Sequence, residues 1–203
     1  MIQRVRDRAG LRRSLVRVGV LLLAVCFLCV ASCRARGIHG RPAAPSGYVE
    51  MTVDAVYNAG EGGKAVTLVD LERRTLLPIF IGGTEALSIQ LRHEHQKYQR
   101  PLTHDLLDSV VRELKGEIVK VHVNELKDNV YLGAVFVRDG SRVAEIDARP
   151  SDAIALALGS EVPIFVAQKV LTAAGMPKAE FDRMRGGGSP RERAPEGTDP
   201  MSL

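Results

Sequence analysis

Between positions 147 and 152 the chain gathers two carboxylates, a guanidinium and a hydroxyl, as Asp147-Ala148-Arg149-Pro150-Ser151-Asp152. It then runs directly into the apolar segment 153–158. Pro150 disfavours helical geometry at Arg149 and is itself suited to a first helical turn. The spacing therefore predicts a helix start, where free N–H groups attract anions. Ser151 and Asp152 are expected to accept hydrogen bonds from those groups. A second cluster, Thr103-His104-Asp105, also reads as a helix start, with Thr103 as N-cap. The helix dipole there favours a neutral imidazole, which can act as a base. Glu85, just after Gly82-Gly83, is a third polar group at a helix start.

Carboxylates brought together from separate segments can hold Mg²⁺ or Mn²⁺, which prefer oxygen ligands. Glu85, Asp147 and Asp152 form that candidate set. A metal-activated water can then hydrolyse a phosphodiester, with Arg149 neutralising charge on the phosphate. On this reading His104, Asp105, Asp147, Arg149 and Asp152 are catalytic, and Thr103, Arg149 and Ser151 bind substrate. A structural reading uses the same residues differently: Asp152 and Thr103 cap helices, Arg149 pairs with Asp147, and Glu85 is a capping acid. Other chemistries lack their signatures. His93 and His95 are two apart and do not share a helix face, Gly60-Glu61-Gly62-Gly63 lacks the full Gly-Lys-Ser/Thr of a phosphate loop, since Ala65 follows Lys64, and no Gly-x-Ser-x-Gly elbow occurs.

The elements that must position these groups follow from periodicity. Alternation predicts strands over 48–57, 65–69 and 76–81, the last carrying Pro78 and so expected at an edge or bend. Helices are expected over 85–97, with Arg92 on the wet side, and over 103–114. In the second, Leu106, Leu107, Val110, Val111 and Leu114 form the stripe expected to be buried. Strands follow over 118–123, 130–137 and 142–146, the last two joined by the turn signal Asp139-Gly140. A helix over 149–161, a strand over 163–166 and a helix over 168–174 complete one α+β domain, 48–176. Its sheet is expected to be mostly antiparallel, with three to four helices against it. Beyond Pro177, Gly-rich and mixed-charge sequence without an apolar period reads as a disordered tail, 177–203.

The formal charge of +4 over 203 residues is unevenly placed. Six Arg lie within the first 32 residues, whereas 48–176 holds fourteen Lys and Arg against eighteen Asp and Glu. The folded part is thus acidic, which argues against duplex binding driven by phosphate contacts. The Arg-rich start, the short apolar run 18–31 and Val30-Ala31-Ser32-Cys33 resemble a bacterial lipoprotein signal. That resemblance implies loss of 1–32, acylation of Cys33, a flexible tether over 33–47 and a membrane-anchored place in the cell envelope. All three cysteines (Cys26, Cys29, Cys33) lie in or beside this segment, so the domain holds no disulfide.

Four separated stretches occur in a telling order. They are Leu77-Pro78-Ile79-Phe80-Ile81-Gly82 with Glu85-Ala86, then Arg100-Pro101-Leu102-Thr103-His104-Asp105-Leu106, then Ile146-Asp147-Ala148-Arg149-Pro150-Ser151-Asp152-Ala153, then Pro163-Ile164-Phe165-Val166. Together they resemble the bifunctional nuclease domain family over about 48–175. The resemblance implies a compact α+β domain, often a homodimer, in a family whose plant members include some described as degrading both RNA and DNA. It carries Glu85, Thr103, His104, Asp105, Asp147, Arg149, Ser151 and Asp152 over as motif positions. Two function classes follow as expectations: a membrane-tethered, metal-assisted nuclease, and a non-catalytic, self-associating module of the cell envelope.

Overall fold

The computed structural model describes residues 42–60 and 62–186. The expected signal segment, Cys33 and most of the tether lie outside them. Three strands open the fold: β1 (Tyr48–Asn58), β2 (Lys64–Asp70) and β3 (Thr75–Ile81). Two helices follow, α1 (Gly83–His93) and α2 (Thr103–Glu113), then β4 (Glu117–Lys127), β5 (Val130–Asp139) and β6 (Arg142–Ala148). The chain continues through α3 (Pro150–Ser160), β7 (Ile164–Ala167), α4 (Gln168–Ala174), β8 (Met176–Pro177) and α5 (Lys178–Gly186). The expected α+β class and mostly antiparallel sheet are found, with five helices described rather than three to four.

The strands form one sheet in the order β6-β5-β4-β7-β1-β2-β3-β8, in which only β4 and β7 run parallel. The sheet is strongly coiled. In a flat sheet β5 and β3 would stand about 24 Å apart, five spacings of about 4.8 Å. Yet the Tyr131 hydroxyl on β5 donates to the Pro78 carbonyl on β3 at 3.3 Å. Pro78 itself sits where β3 has a neighbour on one side, because β8 pairs only with Thr75 and Leu76. The sheet encloses an aliphatic core that includes Met51, Leu68, Leu77, Val121 and Ile154, each 0–1% exposed. That is the core expected of a chain with no Trp and 4% aromatic residues.

Helix α3 is buried almost all round, from Ala153 to Ala157. Its alanines let it lie close against β4 and β5 on one side and α1 and α2 on the other. Three expectations are corrected around the helices. First, α2 turns the opposite way to its apolar pattern: His104 and Asp108 are buried, while Leu106, Leu107, Val110 and Leu114 are exposed. Second, Leu102 rather than Thr103 is the N-cap of α2, and its N–H donates to the Asp105 carboxylate at 2.8 Å. Third, residues 178–186 of the expected tail are helical. Ring contact between Tyr57 and Phe181, stacking of Arg185 on Tyr57 and a Lys178–Asp182 ion pair accompany this α5. Among the described residues no helix is long and apolar enough to cross a membrane.

Candidate functional site

The first turns of three helices converge. Gly82 caps α1 with an extended backbone, and Glu85 folds back over it so closely that a Cβ at Gly82 would lie 2.5 Å from Oε2. Arg149 caps α3 at φ −63°, ψ 141°, the extended conformation that Pro150 imposes on its predecessor. Asp152 occupies the first turn of α3, and His104 is the second residue of α2. Carboxylates in first turns interact favourably with the positive ends of helices.

These side chains form one chain of contacts. Arg149 Nη2 donates to Glu85 Oε1 at 2.6 Å and to Asp152 Oδ1 at 3.0 Å, and its Nε donates to Asp152 Oδ2 at 2.8 Å. Asp152 Oδ1 in turn accepts from His104 Nε2 at 3.1 Å. With the proton on Nε2, a neutral His104 presents Nδ1 as a lone pair, and no described residue bonds to it. Arg149 is the outermost member, 66% exposed against 15% for Glu85. Its Nη1 keeps two N–H donors with no partner among the described residues. Together with Thr84, Ser88, Leu102 and Thr103 these residues line a cavity of about 170 Å³.

Electrostatics hold the cluster in its charged form. Burial pushes the Asp152 carboxyl up, but hydrogen bonds from Arg149 and His104, with their charges, outweigh it and leave it below the ordinary value. The hydrogen bond to Asp152 and then that to Glu85 raise the Arg149 pKa further still. With His104 neutral, Glu85, Arg149 and Asp152 carry one net negative charge; an imidazolium brings the cluster to zero. The arrangement can therefore offer a fixed guanidinium to an anionic oxygen beside an imidazole oriented by a carboxylate.

Not every expected site residue joins. Asp147 is exposed on β6 and does not line the cavity. Ile146 pairs with the core residue Val135, so pleating turns Asp147 to the other face of the sheet, opposite Ala134. The expected Asp147–Arg149 ion pair is replaced by pairs from Arg149 to Asp152 and Glu85. Ser151 is buried and does not line the cavity, and neither it nor Asp152 makes a side-chain cap hydrogen bond. Asp105 faces Arg92 instead, accepting from its Nη2 at 2.8 Å.

Arg92 is the residue that sequence reading misplaced. Expected in water, its side chain is 8% exposed. It donates through Nη1 to the Ala155 carbonyl at 2.8 Å and pairs with Asp108 Oδ2 at 2.7 Å. It thereby ties α1 to both α2 and α3. Its partners are too distant along the chain to give a local signal.

As placed, the expected metal ligands do not form a cation cage. Both Asp152 oxygens are engaged by Arg149 and His104, Glu85 keeps only Oε2, and Asp147 points elsewhere. Among the described residues no three imidazole, thiolate or carboxylate groups are grouped to hold a metal ion.

A coiled, mostly antiparallel sheet wrapped on a small-residue helix, with an arginine and a carboxylate-oriented histidine at converging helix starts, defines an α+β domain with a polar cavity of mixed charge. The chain belongs to the bifunctional nuclease domain family, whose sequence model matches residues 66–179. Two uncharacterized proteins of Mycobacterium tuberculosis, from strains CDC 1551 / Oshkosh and H37Rv, are each 38% identical to it over 101 residues. That stretch is 49% of this chain and 59% of each relative, so the chain spans under two thirds of their length.

Proposed function

We propose that this protein is a nuclease that hydrolyses phosphodiester bonds of RNA or DNA, tethered to a membrane of the cell envelope through an acylated Cys33. The observation that carries the activity is the free Nη1 edge of Arg149, held by Glu85 and Asp152 beside the Asp152–His104 pair. In the reaction, His104 Nδ1 takes the proton of the attacking hydroxyl or water as its oxygen bonds to phosphorus; the bond from phosphorus to the leaving oxygen breaks, and that oxygen takes a proton from solvent water. Asp152 holds the ring in the tautomer that leaves Nδ1 free and stabilises the imidazolium as it forms. Arg149 receives the growing charge on the phosphate oxygens through two N–H donors. Family membership supports the same reading, and the tether rests on the signal-like sequence before Cys33.

The test is cleavage of single-stranded RNA and DNA by purified protein with Mg²⁺, with Mn²⁺ and with EDTA, so that any cation requirement is read directly. His104→Ala is expected to lower the rate by about 10²–10⁴-fold, the usual contribution of a general acid–base group. Arg149→Met is expected to act similarly. Wild-type protein that cleaves nothing, or variants that both cleave as fast as the wild type, overturns the proposal.

A second reading, a non-catalytic self-associating module, has its own supporting observation in the exposed apolar face of α2. A homodimer built on that face is compatible with either function.

A further inference from the structure

Two rungs join α2 to α3. The first is the hydrogen bond from His104 Nε2 to Asp152 Oδ1 at 3.1 Å. The second runs through α1: Arg92 Nη1 meets Asp108 Oδ2 of α2 at 2.7 Å and donates to the Ala155 carbonyl of α3 at 2.8 Å. His104 and Asp108 are about one helical turn apart, as are Asp152 and Ala155, so the rungs stand roughly 4.5–6 Å apart along each helix. Both intervals step the same way along the chain. A single contact between two helices fixes a distance and leaves them free to pivot about it; a second, one turn on, fixes their angle and register. Arg92 also reaches the start of α2. Its Nη2 donates to Asp105 Oδ1 at 2.8 Å, and Asp105 Oδ2 accepts from the backbone N–H of Leu102, the N-cap just ahead of His104. Stability alone does not call for such a bridge, because an apolar filling of a buried site is often as good. A planar guanidinium does what apolar packing cannot: it holds several acceptors at set angles. Gly159 leaves room for it, where a Cβ would lie 1.7 Å from Nη1.

We infer that Arg92 is a positioning residue for hydrolysis. It does not line the polar cavity, yet it sets α2 against α3 so that His104 Nε2 faces Asp152 and Nδ1 is left for the substrate. With the bridge removed, α2 pivots on the His104–Asp152 contact, the ring loses its single orientation and both neutral tautomers are populated. The inference rests on the reading of His104 as the base and names what keeps that base aimed.

The experiment is nitrogen–proton NMR of the His104 ring in full-length protein, its signals assigned by their absence in His104→Ala, together with kcat and KM for single-stranded RNA. Wild type is expected to show one neutral tautomer, protonated at Nε2. Arg92→Lys keeps the charge and loses the fork. It should show mixed tautomers and a kcat lower by about 10²-fold, as for a group displaced by about 1 Å, with KM nearly unchanged. Val66→Ala, in the core on β2, should lose stability and keep the wild-type His104 signals. Should Arg92→Lys not fold, Asp108→Ala decides by the same signals, since it removes the α2 end of the second rung while Asp105 still holds Arg92. Mixed tautomers in the wild type, a single Nε2–H tautomer kept in the folded variant, an unchanged kcat beside mixed tautomers, or equal scrambling in Val66→Ala overturns the inference. Mixed tautomers in the variant of a protein that hydrolyses nothing uphold the positioning and remove the nuclease.

Discussion

Gly159→Ala tests whether the buried guanidinium of Arg92 holds the helices together. Gly159 is the penultimate residue of α3, and a Cβ there would lie 1.7 Å from Arg92 Nη1 and 2.6 Å from Asp108 Oδ2. The guanidinium would have to move by more than 1 Å, breaking its 2.8 Å bond to Ala155 and its 2.7 Å pair with Asp108. Breaking a buried ion pair costs about 3–5 kcal/mol. Against this, Ala is favoured over Gly in a helix by up to about 1 kcal/mol. The net expectation is destabilisation by about 2–4 kcal/mol, read as a lower urea midpoint at constant m. In an Arg92→Ala background the nearer obstacle is gone and the Asp108 carboxylate, 2.6 Å from the new Cβ and released from its partner, has only to turn aside, so the same substitution should be near neutral. The double-mutant cycle should therefore show coupling of at least about 2 kcal/mol. Gly159→Ala within about 0.5 kcal/mol of wild type, or an equal loss in both backgrounds, refutes the role given to Arg92.

Other outcomes are equally specific. His122 is buried against Tyr48, Phe136 and Phe165, and burial, then the Lys120 charge, lower its pKa to about 4 despite a hydrogen bond with Asn124. The unfolded chain takes up that proton first, so the stability tied to neutral His122 is complete above pH 6.5 and is lost as pH falls toward 4. The loss is on the order of 3 kcal/mol, and a His122→Phe variant should lack that slope in denaturation measured from pH 7 to 4. On the homodimer reading, Leu106→Glu with Leu114→Glu should give monomers in sedimentation and an unfolding temperature that no longer rises with protein concentration, because both side chains are exposed to a partner. Cys33→Ser should leave the protein uncleaved and unacylated; normal processing with full membrane retention would refute the lipoprotein reading.

Much of the fold was legible because strands and helices carry their own periods. The helix at 168–174 and the strands around the Asp139-Gly140 turn lie where alternation and turn chemistry put them. Strand order was not legible: β7 spans four residues, each buried, and nothing local says that it parts β4 from β1. Helix α5 escaped notice because ring stacking and ion pairs, rather than an apolar stripe, accompany it. In the site, Glu85, Thr103, His104, Arg149 and Asp152 meet as their positions at helix starts suggested. Asp147 does not, because strand pleating reverses direction at each residue and the motif gave no sign of where the strand ends. Arg92 and Asp108 were unreadable for a different reason. Charged residues are assigned to water unless a partner is known, and theirs come from another helix.

The reversal of α2 links chemistry to assembly. At 3.6 residues per turn each residue advances about 100°. Taking His104 as zero, Asp108 falls at about 40°, while Leu106, Val110, Leu114 and Leu107 fall between about 200° and 300°. One helix cannot bury both arcs. The inward arc is claimed by the polar contacts, His104 to Asp152 and Asp108 to Arg92. The apolar arc must then face out, and the usual hydrophobic gain of burying it is forgone within the monomer. An exposed apolar stripe of this kind is suited to a contact with another chain. A second copy of the chain, presenting the same arc across a twofold axis, would cover it with a surface of the same character. Dimerisation would then fix α2 from outside while Asp152 and Arg92 fix it from inside. Substitutions on the outer arc should accordingly lower the hydrolysis rate as well as change the oligomeric state; a monomeric variant with an unaltered rate would separate the two.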